Sequence, residues 1–249
     1  LNIRYLFDYL GLANKPVVWT FHDCWPFTGH CSYFDAVNCF KWKTGCYSCP
    51  NKHGYPRSYF FDNSRKNYRD KKELFTSVPC VMLVAPSQWM ARHLGNSFLK
   101  DNEIMVIHNG IDIDNFKPAN SDFLKEKYKI KGKYILGVAN IWDKRKGLDD
   151  LIKLSSMIQS ELQIVLVGLN RNQAGMLPDG IKSISRTENI DELAAIYSGA
   201  HAFVNPTYVD NFPTTNIEAL ACGTPVITYN TGGSPEAIDE NTGIAVNRG

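Results

Sequence analysis

The sequence predicts an α/β protein built on parallel sheets. Short apolar runs that are typical of buried strands alternate along the 249 residues with amphipathic stretches that are typical of helices. Apolar residues make up 44% of the chain, which is enough to bury a sizeable core. The net charge of +2 is close to neutral, so we do not expect nucleic acid as a partner. No apolar run approaches the roughly 18 residues that span a bilayer.

The first half of the chain contains three predicted strands, at residues 16–21, 81–85 and 104–108. The second strand leads to a helix that begins after Ser87, a good N-cap, and ends at Gly95. The segment Asn-Gly-Ile-Asp at 109–112 then breaks the pattern, and a run of polar residues and Pro118 follow it. We place the boundary between two lobes there, which gives domains 1–112 and 113–249.

Strands and helices also alternate in the second half. The predicted strands are 133–139, 162–167, 181–185, 201–206 and 224–229, and the predicted helices between them are 148–154 and 191–197. Pro213 suits the first turn of a further helix, which Gly223 ends. That helix carries its apolar residues on one side: Ile217, Leu220 and Ala221. Residues 231–236 are expected to open a last helix.

Residues 208–225 combine an acid, a helix start and a second acid. The unpaired N–H groups at the helix start, near Thr214 and Thr215, favour an anion such as a diphosphate. Glu218 lies about one turn into the helix, where its carboxylate can accept hydrogen bonds from two ribose hydroxyls. Asp210 in the preceding loop can bind hydroxyls of a sugar beyond the phosphates. The alternative is that Asp210 is a turn residue and Glu218 a solvated helix position.

Two more predicted strands end at candidate ligand-binding side chains. Arg145 and Lys146 follow the strand at 133–139, where they can clamp a diphosphate and stabilise the charge that grows on a leaving group. The alternative for this pair is a solvated basic turn. His22 follows the first strand and is a candidate for the same binding edge in its own lobe, although an ordinary core histidine is the commoner role for a single His.

The seven cysteines fall into two groups. Three occur singly in apolar surroundings and are interpreted as small hydrophobic residues: Cys24, Cys80 and Cys222. Four lie close together in a Cys-rich loop, 24–50: Cys31, Cys39, Cys46 and Cys49. Four thiolates suit tetrahedral Zn²⁺, and the Cys-x2-Cys end has typical ligand spacing, but the other gaps are not those of a common zinc finger. We expect a structural zinc ion here, with His30 and His53 as substitute ligands; two disulfides or unligated thiols are the alternatives.

The acidic segment resembles that of the family 4 glycosyltransferases, which are retaining enzymes with the two-lobed GT-B fold. The similarity runs from Asp210 through Glu218 to Pro225, and the Asp-Asn-Phe-Pro at 210–213 resembles a branch common in bacterial capsule, O-antigen and exopolysaccharide enzymes. That branch often has a Cys-rich insert after its His-Asp motif. Where the family usually has an Arg five residues before its Lys, this chain has Ile141.

The resemblance implies a role for each candidate. Glu218 would bind the donor ribose and Asp210 the donor sugar. Lys146, with Arg145, would bind the diphosphate, and His22 would lie near the reacting carbon. The Gly232-Gly233 turn would border the nucleotide, although a turn needed only for packing explains these glycines equally well.

The implied activity is transfer of a sugar, with retention of configuration, from a nucleoside diphosphate donor to a bacterial glycan or a polyprenyl-linked acceptor. No catalytic metal is expected, because cations and helix dipoles neutralise the diphosphate in this fold. We expect a cytoplasmic protein, at the inner face of the membrane if the basic stretch 65–72 contacts anionic lipid; a solvated helix face is the alternative for that stretch.

Relatives with this motif are longer, so we expect the chain to be a piece with both lobes incomplete. It would lack a glycine-rich loop near the N-terminus and a closing C-terminal helix. Two alternative functions remain open. One is a GT-B nucleotide-sugar hydrolase or epimerase, and the other is a non-catalytic module that binds glycan or lipid.

Overall fold

The computed structural model describes residues 2–158 and 162–248, and the chain divides into two compact units, 1–108 and 109–249. The sequence places the boundary after Asp112, four residues later. Asn109 belongs to the second unit because its side-chain amide donates a hydrogen bond of 3.0 Å to the backbone oxygen of Phe212.

The first unit contains a three-stranded parallel sheet between helices. Its strands are β1 (Val17–Thr20), β2 (Val81–Ala85) and β3 (Glu103–Val106), and its helices are α1 (Ile3–Ala13), α2 (Ser64–Phe75) and α3 (Gln88–Leu94). The strands are hydrogen-bonded in the order β1-β2-β3, which confirms the three predicted strands. Ser87 caps α3 by accepting the N–H of Met90 at 3.0 Å.

The segment between β1 and α2 has little regular structure, yet it packs a core of its own. It contains three short turns of 3-10 helix, at Trp25–Phe27, Asp35–Val37 and Lys41–Lys43. Phe27, Phe34 and Trp42 are almost fully buried and contact one another edge to face or at a tilt. Aromatic burial therefore stabilises a segment that has no sheet or long helix to support it.

The second unit contains a six-stranded parallel sheet. Its strands are β4 (Lys133–Val138), β5 (Leu162–Val167), β6 (Ile181–Ile184), β7 (Ala202–Asn205), β8 (Val226–Tyr229) and β9 (Gly243–Val246). Its helices are α4 (Asp122–Tyr128), α5 (Leu148–Ser155), α6 (Arg171–Ala174), α7 (Ile190–Ser198) and α8 (Thr214–Ala221). The strand order is β6-β5-β4-β7-β8-β9. Within residues 2–158 and 162–248, no helix combines the length and the apolar content that crossing a membrane requires.

Two details of the second unit differ from the prediction. The fully buried residues of α8 are Asn216 and Ala219, whereas Leu220 of the predicted apolar side packs against the core only partly buried. The expected last helix after residue 231 is only a 3-10 turn, Ser234–Ala237. It stops there because Asp239 accepts hydrogen bonds from Asn241 and Thr242, a local turn that leads directly into β9.

Candidate functional site

The carboxyl ends of three neighbouring strands meet at one edge of the second sheet. β4, β7 and β8 lie side by side, and the loops that follow them are residues 139–147, 206–213 and 230–233. The chain order reverses between β4 and β7, with β5 and β6 on one side and β8 and β9 on the other. Open α/β sheets bind ligands at such a reversal, so the candidate site lies at the ends of β4 and β7.

Lys146 and Asp210 form an ion pair at this edge. The Nζ of Lys146 is 2.6 Å from Oδ2 of Asp210, and the two side chains are 21% and 16% exposed. Asp143 fixes the turn between β4 and α5, because its Oδ1 accepts a hydrogen bond of 3.1 Å from the backbone N–H of Lys146. Gly147 follows with φ of +72°, where a Cβ would collide with the carbonyl of Pro206. The sequence of this turn therefore sets the position of the ammonium group beside the loop after β7.

Arg145 adds a second cation to the same loop. Its guanidinium donates to the backbone oxygen of Val209 at 3.1 Å and lies 3.9 Å from Oδ2 of Asp210. Its Nε is also 3.9 Å from Oδ2 of the more exposed Asp143, so two cations and two carboxylates meet in this turn. Arg145 and Lys146 are both largely covered, and both can donate to a ligand anion that displaces the carboxylates.

The Gly232-Gly233 turn packs directly on Asp210. The N–H of Gly233 donates to the backbone oxygen of Asp210 at 3.1 Å. Gly232 has φ of +58°, and a Cβ there would collide with the same oxygen. Gly232 therefore has a packing role, and the turn also places backbone next to the ion pair.

The start of α8 lies in the loop after β7. Its N-cap is Pro213, whose side chain cannot accept a hydrogen bond from the first N–H groups. Thr214 is exposed and Thr215 half-buried at this end. The backbone N–H groups of a helix start attract anions, so this end of α8 can bind one in the second unit.

Glu218 lies one turn further along α8, half-buried against α7. The hydroxyl of Tyr197 donates to its Oε2 at 2.9 Å. Burial raises the pKa of the Glu218 carboxyl, while hydrogen bonds from Tyr197 and Thr214 oppose that rise. A carboxylate held in this way can also accept a hydrogen bond from a ligand hydroxyl.

A buried polar network supports these loops from below. The Asn205 amide donates to Oδ1 of Asn216 at 2.8 Å, and the Asn216 amide donates to the backbone oxygen of Ser234 at 3.0 Å. The Thr228 hydroxyl is 2.6 Å from that of Ser234 and donates to the backbone oxygen of Asn205 at 3.0 Å. All four side chains are at most 6% exposed. The network therefore connects β7, α8, β8 and the turn after Gly233.

His22 lies in the first unit, directly after β1. Its side chain is exposed, which does not fit the alternative of a core histidine. The next residue, Asp23, accepts the backbone N–H of Trp25 at 2.8 Å and so shapes the turn after the strand. The imidazole is therefore available to a ligand at the carboxyl end of β1.

The four clustered cysteines line one small cavity in the first unit, and all seven cysteines are free thiols. Burial, together with the neighbouring cysteines, raises the pKa of Cys31 to about 12 and that of Cys46 to about 11. In the part of the chain that the structure describes, no group of three or more His, Cys, Asp or Glu side chains stands in an arrangement that could hold a metal ion. The predicted zinc site is thus not preassembled.

Comparison with known proteins assigns the chain to a family. Residues 4–115 match the family model described as Glycosyltransferase Family 4, and residues 132–249 match the model described as Glycosyl transferases group 1. The chain belongs to the family 4 glycosyltransferases. The resemblance that the acidic segment predicted is confirmed.

Similar proteins include bacterial glycosyltransferases of different kinds. WcaC of Escherichia coli K12, whose name assigns it to colanic acid biosynthesis, is 27% identical over 245 residues, which cover 94% of this chain and 57% of WcaC. A D-inositol 3-phosphate glycosyltransferase of Arthrobacter sp. FB24 is 28% identical over 72% of this chain and 46% of its own length. This family 4 chain therefore spans about half the length of these relatives.

A solved structure confirms the fold. HepE from Anabaena in complex with UDP matches with a TM-score of 0.71 at 18% identity, covering 99% of this chain and 62% of HepE. At this identity the likeness concerns the fold alone. The two parallel sheets of this family 4 chain are the partial lobes of the GT-B fold.

The structure brings together most of the site residues that the sequence predicts in the second unit. Lys146, Arg145 and Asp210 are in contact, and the Gly232-Gly233 turn packs on them. The sequence did not reveal Tyr197, which positions Glu218. The only available signal was a tyrosine at the end of a helix with a mostly apolar face.

Proposed function

We propose that this chain is part of a retaining glycosyltransferase that moves a sugar from a nucleoside diphosphate to a bacterial polysaccharide or its polyprenyl-linked precursor. The observation that carries the proposal is the meeting of Lys146, Asp210 and the open start of α8 at one sheet edge. The name of WcaC and the UDP bound by HepE support a nucleotide donor and a glycan product.

Each group has a role in this proposal. The diphosphate binds to Lys146, Arg145 and the first N–H groups of α8, and it competes with Asp210 for the ammonium of Lys146. Asp210 then accepts hydrogen bonds from hydroxyls of the donor sugar, and Glu218 accepts hydrogen bonds from the ribose hydroxyls. The Gly232-Gly233 turn lets backbone approach the nucleotide.

Catalysis follows from charge on the leaving group. As the bond between the sugar and the phosphate breaks, negative charge grows on the diphosphate oxygen, and Lys146 with the α8 dipole stabilises it. His22 acts on the sugar or the acceptor near the reacting carbon. The acceptor hydroxyl attacks the face that the leaving group departs from and passes its proton to the departing diphosphate oxygen, so no protein nucleophile is required.

A panel of nucleotide sugars tests the proposal. We expect one donor and its nucleoside diphosphate to raise the melting temperature of the protein. At a ligand concentration of about 100 times Kd, binding adds about 2.7 kcal/mol to the free energy of unfolding. With that donor and membrane-derived acceptor lipids, NMR should show a product with the anomeric configuration of the donor. No stabilisation by any nucleotide would overturn the assignment, and an inverted product would overturn the retaining mechanism.

Glu218→Ala is expected to weaken nucleoside diphosphate binding by about 1 to 3 kcal/mol, because the ribose loses hydrogen bonds to a charged acceptor. Isothermal titration calorimetry measures the change directly. Because Tyr197 also loses its partner, the melting temperature of the variant must be measured alongside.

Glu240→Ala is a matched control for this variant. Glu240 is exposed and precedes β9, so it lies at the opposite edge of the sheet from the candidate site. It should bind the nucleotide like the wild type. Equal affinity of Glu218→Ala and the wild type would remove Glu218 from the binding site.

We also propose that the protein works in the cytoplasm, at the inner face of the membrane that holds its lipid-linked acceptor. Phe60 and Phe61 are 83% and 76% exposed just before α2. Four cations of α2 are exposed beside them: Arg65, Lys66, Arg69 and Lys72. Exposed aromatic side chains next to cations suit an anionic lipid surface.

Replacing both Phe60 and Phe61 by serine should lower co-sedimentation with phosphatidylglycerol vesicles by about fivefold or more, since each ring loses its burial in lipid. Phe123→Ser, at a position 59% exposed in the second unit, should leave it unchanged. Equal binding of the double variant and the wild type would show that this surface does not contact lipid.

A further inference from the structure

Four cysteine side chains of the Cys-rich loop surround one cavity in the first unit. The cavity has a volume of about 10 Å³, and it is lined by all four: Cys31, Cys39, Cys46 and Cys49. A space of this size holds roughly one water-sized particle. A metal ion is no larger than a water molecule, so the cavity between the four thiols has room for a single ion.

Backbone N–H donors lie next to two of the sulfurs and oppose part of the rise in pKa that burial causes. The N–H of Gly29 lies 3.1 Å from the sulfur of Cys46, and the N–H of Asn51 donates to the sulfur of Cys49. Gly29 has to be glycine for this contact, because a Cβ would stand 2.5 Å from the Cβ of Cys46. Such N–H donors to sulfur stabilise negative charge on metal-bound cysteines.

Trp42 provides a second observation. Its side chain is 1% exposed and lines the same cavity, yet Nε1 has no hydrogen-bond partner among the described residues. A buried N–H without an acceptor costs about 1 to 3 kcal/mol. A negatively charged sulfur beside the indole would reduce that cost.

A buried lysine lies near the cysteines. Lys71 is 5% exposed, and its Nζ donates to the backbone oxygens of Trp25 and Thr28 at 2.6 and 3.0 Å. These acceptors are neutral, and burial lowers the pKa of Lys71 to about 7. A tetrathiolate site with one divalent ion carries a net charge of −2, which would stabilise the charged form of Lys71.

We propose that Cys31, Cys39, Cys46 and Cys49 bind one Zn²⁺ ion as a closed structural site. The side chains must rotate for this, because no three donors of the described residues are yet arranged to hold a metal. Rotation would bring the four sulfurs to about 2.3 Å from the ion in a tetrahedron. All four positions are then occupied by protein, so the ion takes no part in chemistry. It fixes the loop that follows His22.

Elemental analysis tests the proposal. We expect about one zinc per chain in protein purified under reducing conditions without added metal, and a loss of about tenfold or more in Cys46→Ser and Cys49→Ser. Cys80→Ser is the matched control, because Cys80 is exposed and does not line the cavity, and it should keep its zinc.

Co²⁺ binding to the wild-type protein tests the site without any variant that could fail to fold. After removal of zinc by a chelator, Co²⁺ should bind and give the visible and near-ultraviolet bands of tetrahedral thiolate coordination. Zinc below about 0.1 per chain together with no such bands would overturn the proposal. Iron in place of zinc, or two disulfides detected by mass in protein kept reducing, would overturn it as well.

Discussion

Replacing Lys146 by alanine is expected to lower the rate of sugar transfer by about 100- to 1,000-fold, the cost of removing one fixed donor to a developing negative charge. Lys146 is the cation that lies nearest to Asp210, and its backbone is held by Asp143 and Gly147. Removal leaves Arg145 as the nearest cation, but its guanidinium is already bonded to the backbone of Val209. The decrease should appear in kcat more than in KM, because charge grows after the donor has bound.

Lys144→Ala is the matched control for this prediction. Lys144 lies in the same turn and has the same charge, but it is exposed. Its substitution should change kcat by less than about threefold. If Lys146→Ala folds like the wild type and transfers sugar at a similar rate, Lys146 does not stabilise the leaving group.

Much of the fold could be predicted from local patterns. The strands β4 and β5 are continuous apolar runs bounded by polar residues, and a strand buried on both faces needs such a run. Two helices were harder to predict. Helix α1 has Gly11 and Asn14 near its end, two residues that disfavour a helix, and α4 follows a polar stretch. The strand β9 has only four residues and pairs at the sheet edge, so its position depends on β8 and not on its own sequence.

The site could be predicted only as far as the strand ends. Parallel strands bring the loops after β4 and β7 to one edge, which is why Lys146 and Asp210 were placed on the same ligand. Their direct contact across 64 residues was not predictable, because it depends on the height of each loop above the sheet. The role of Asn216 was missed for a related reason. A polar residue on a buried helix face has meaning only when its partners on other elements are known.

Asn216→Ala is expected to destabilise the second unit by about 2 to 4 kcal/mol, because it leaves buried polar groups without partners. The side chain of Asn216 is 0% exposed and makes three hydrogen bonds, to Asn205 and to two atoms of Ser234. Alanine removes all three hydrogen bonds. The Asn205 amide and the backbone oxygen of Ser234 then stay buried without a partner, which destabilises the folded state by their desolvation cost.

Urea unfolding, with hydrogen exchange of peptides from 202–229, measures this loss in the second unit alone. Asn172→Ala is the matched control, since Asn172 is an exposed position of α6 and the change in helix propensity is the same. It should alter stability by less than about 0.5 kcal/mol. A loss below about 1 kcal/mol for Asn216→Ala would show that the network is not what holds α8 and the Gly232-Gly233 turn in place. The site would then need another source of rigidity, because Asp210 and Glu218 lie at either end of the segment that Asn216 anchors.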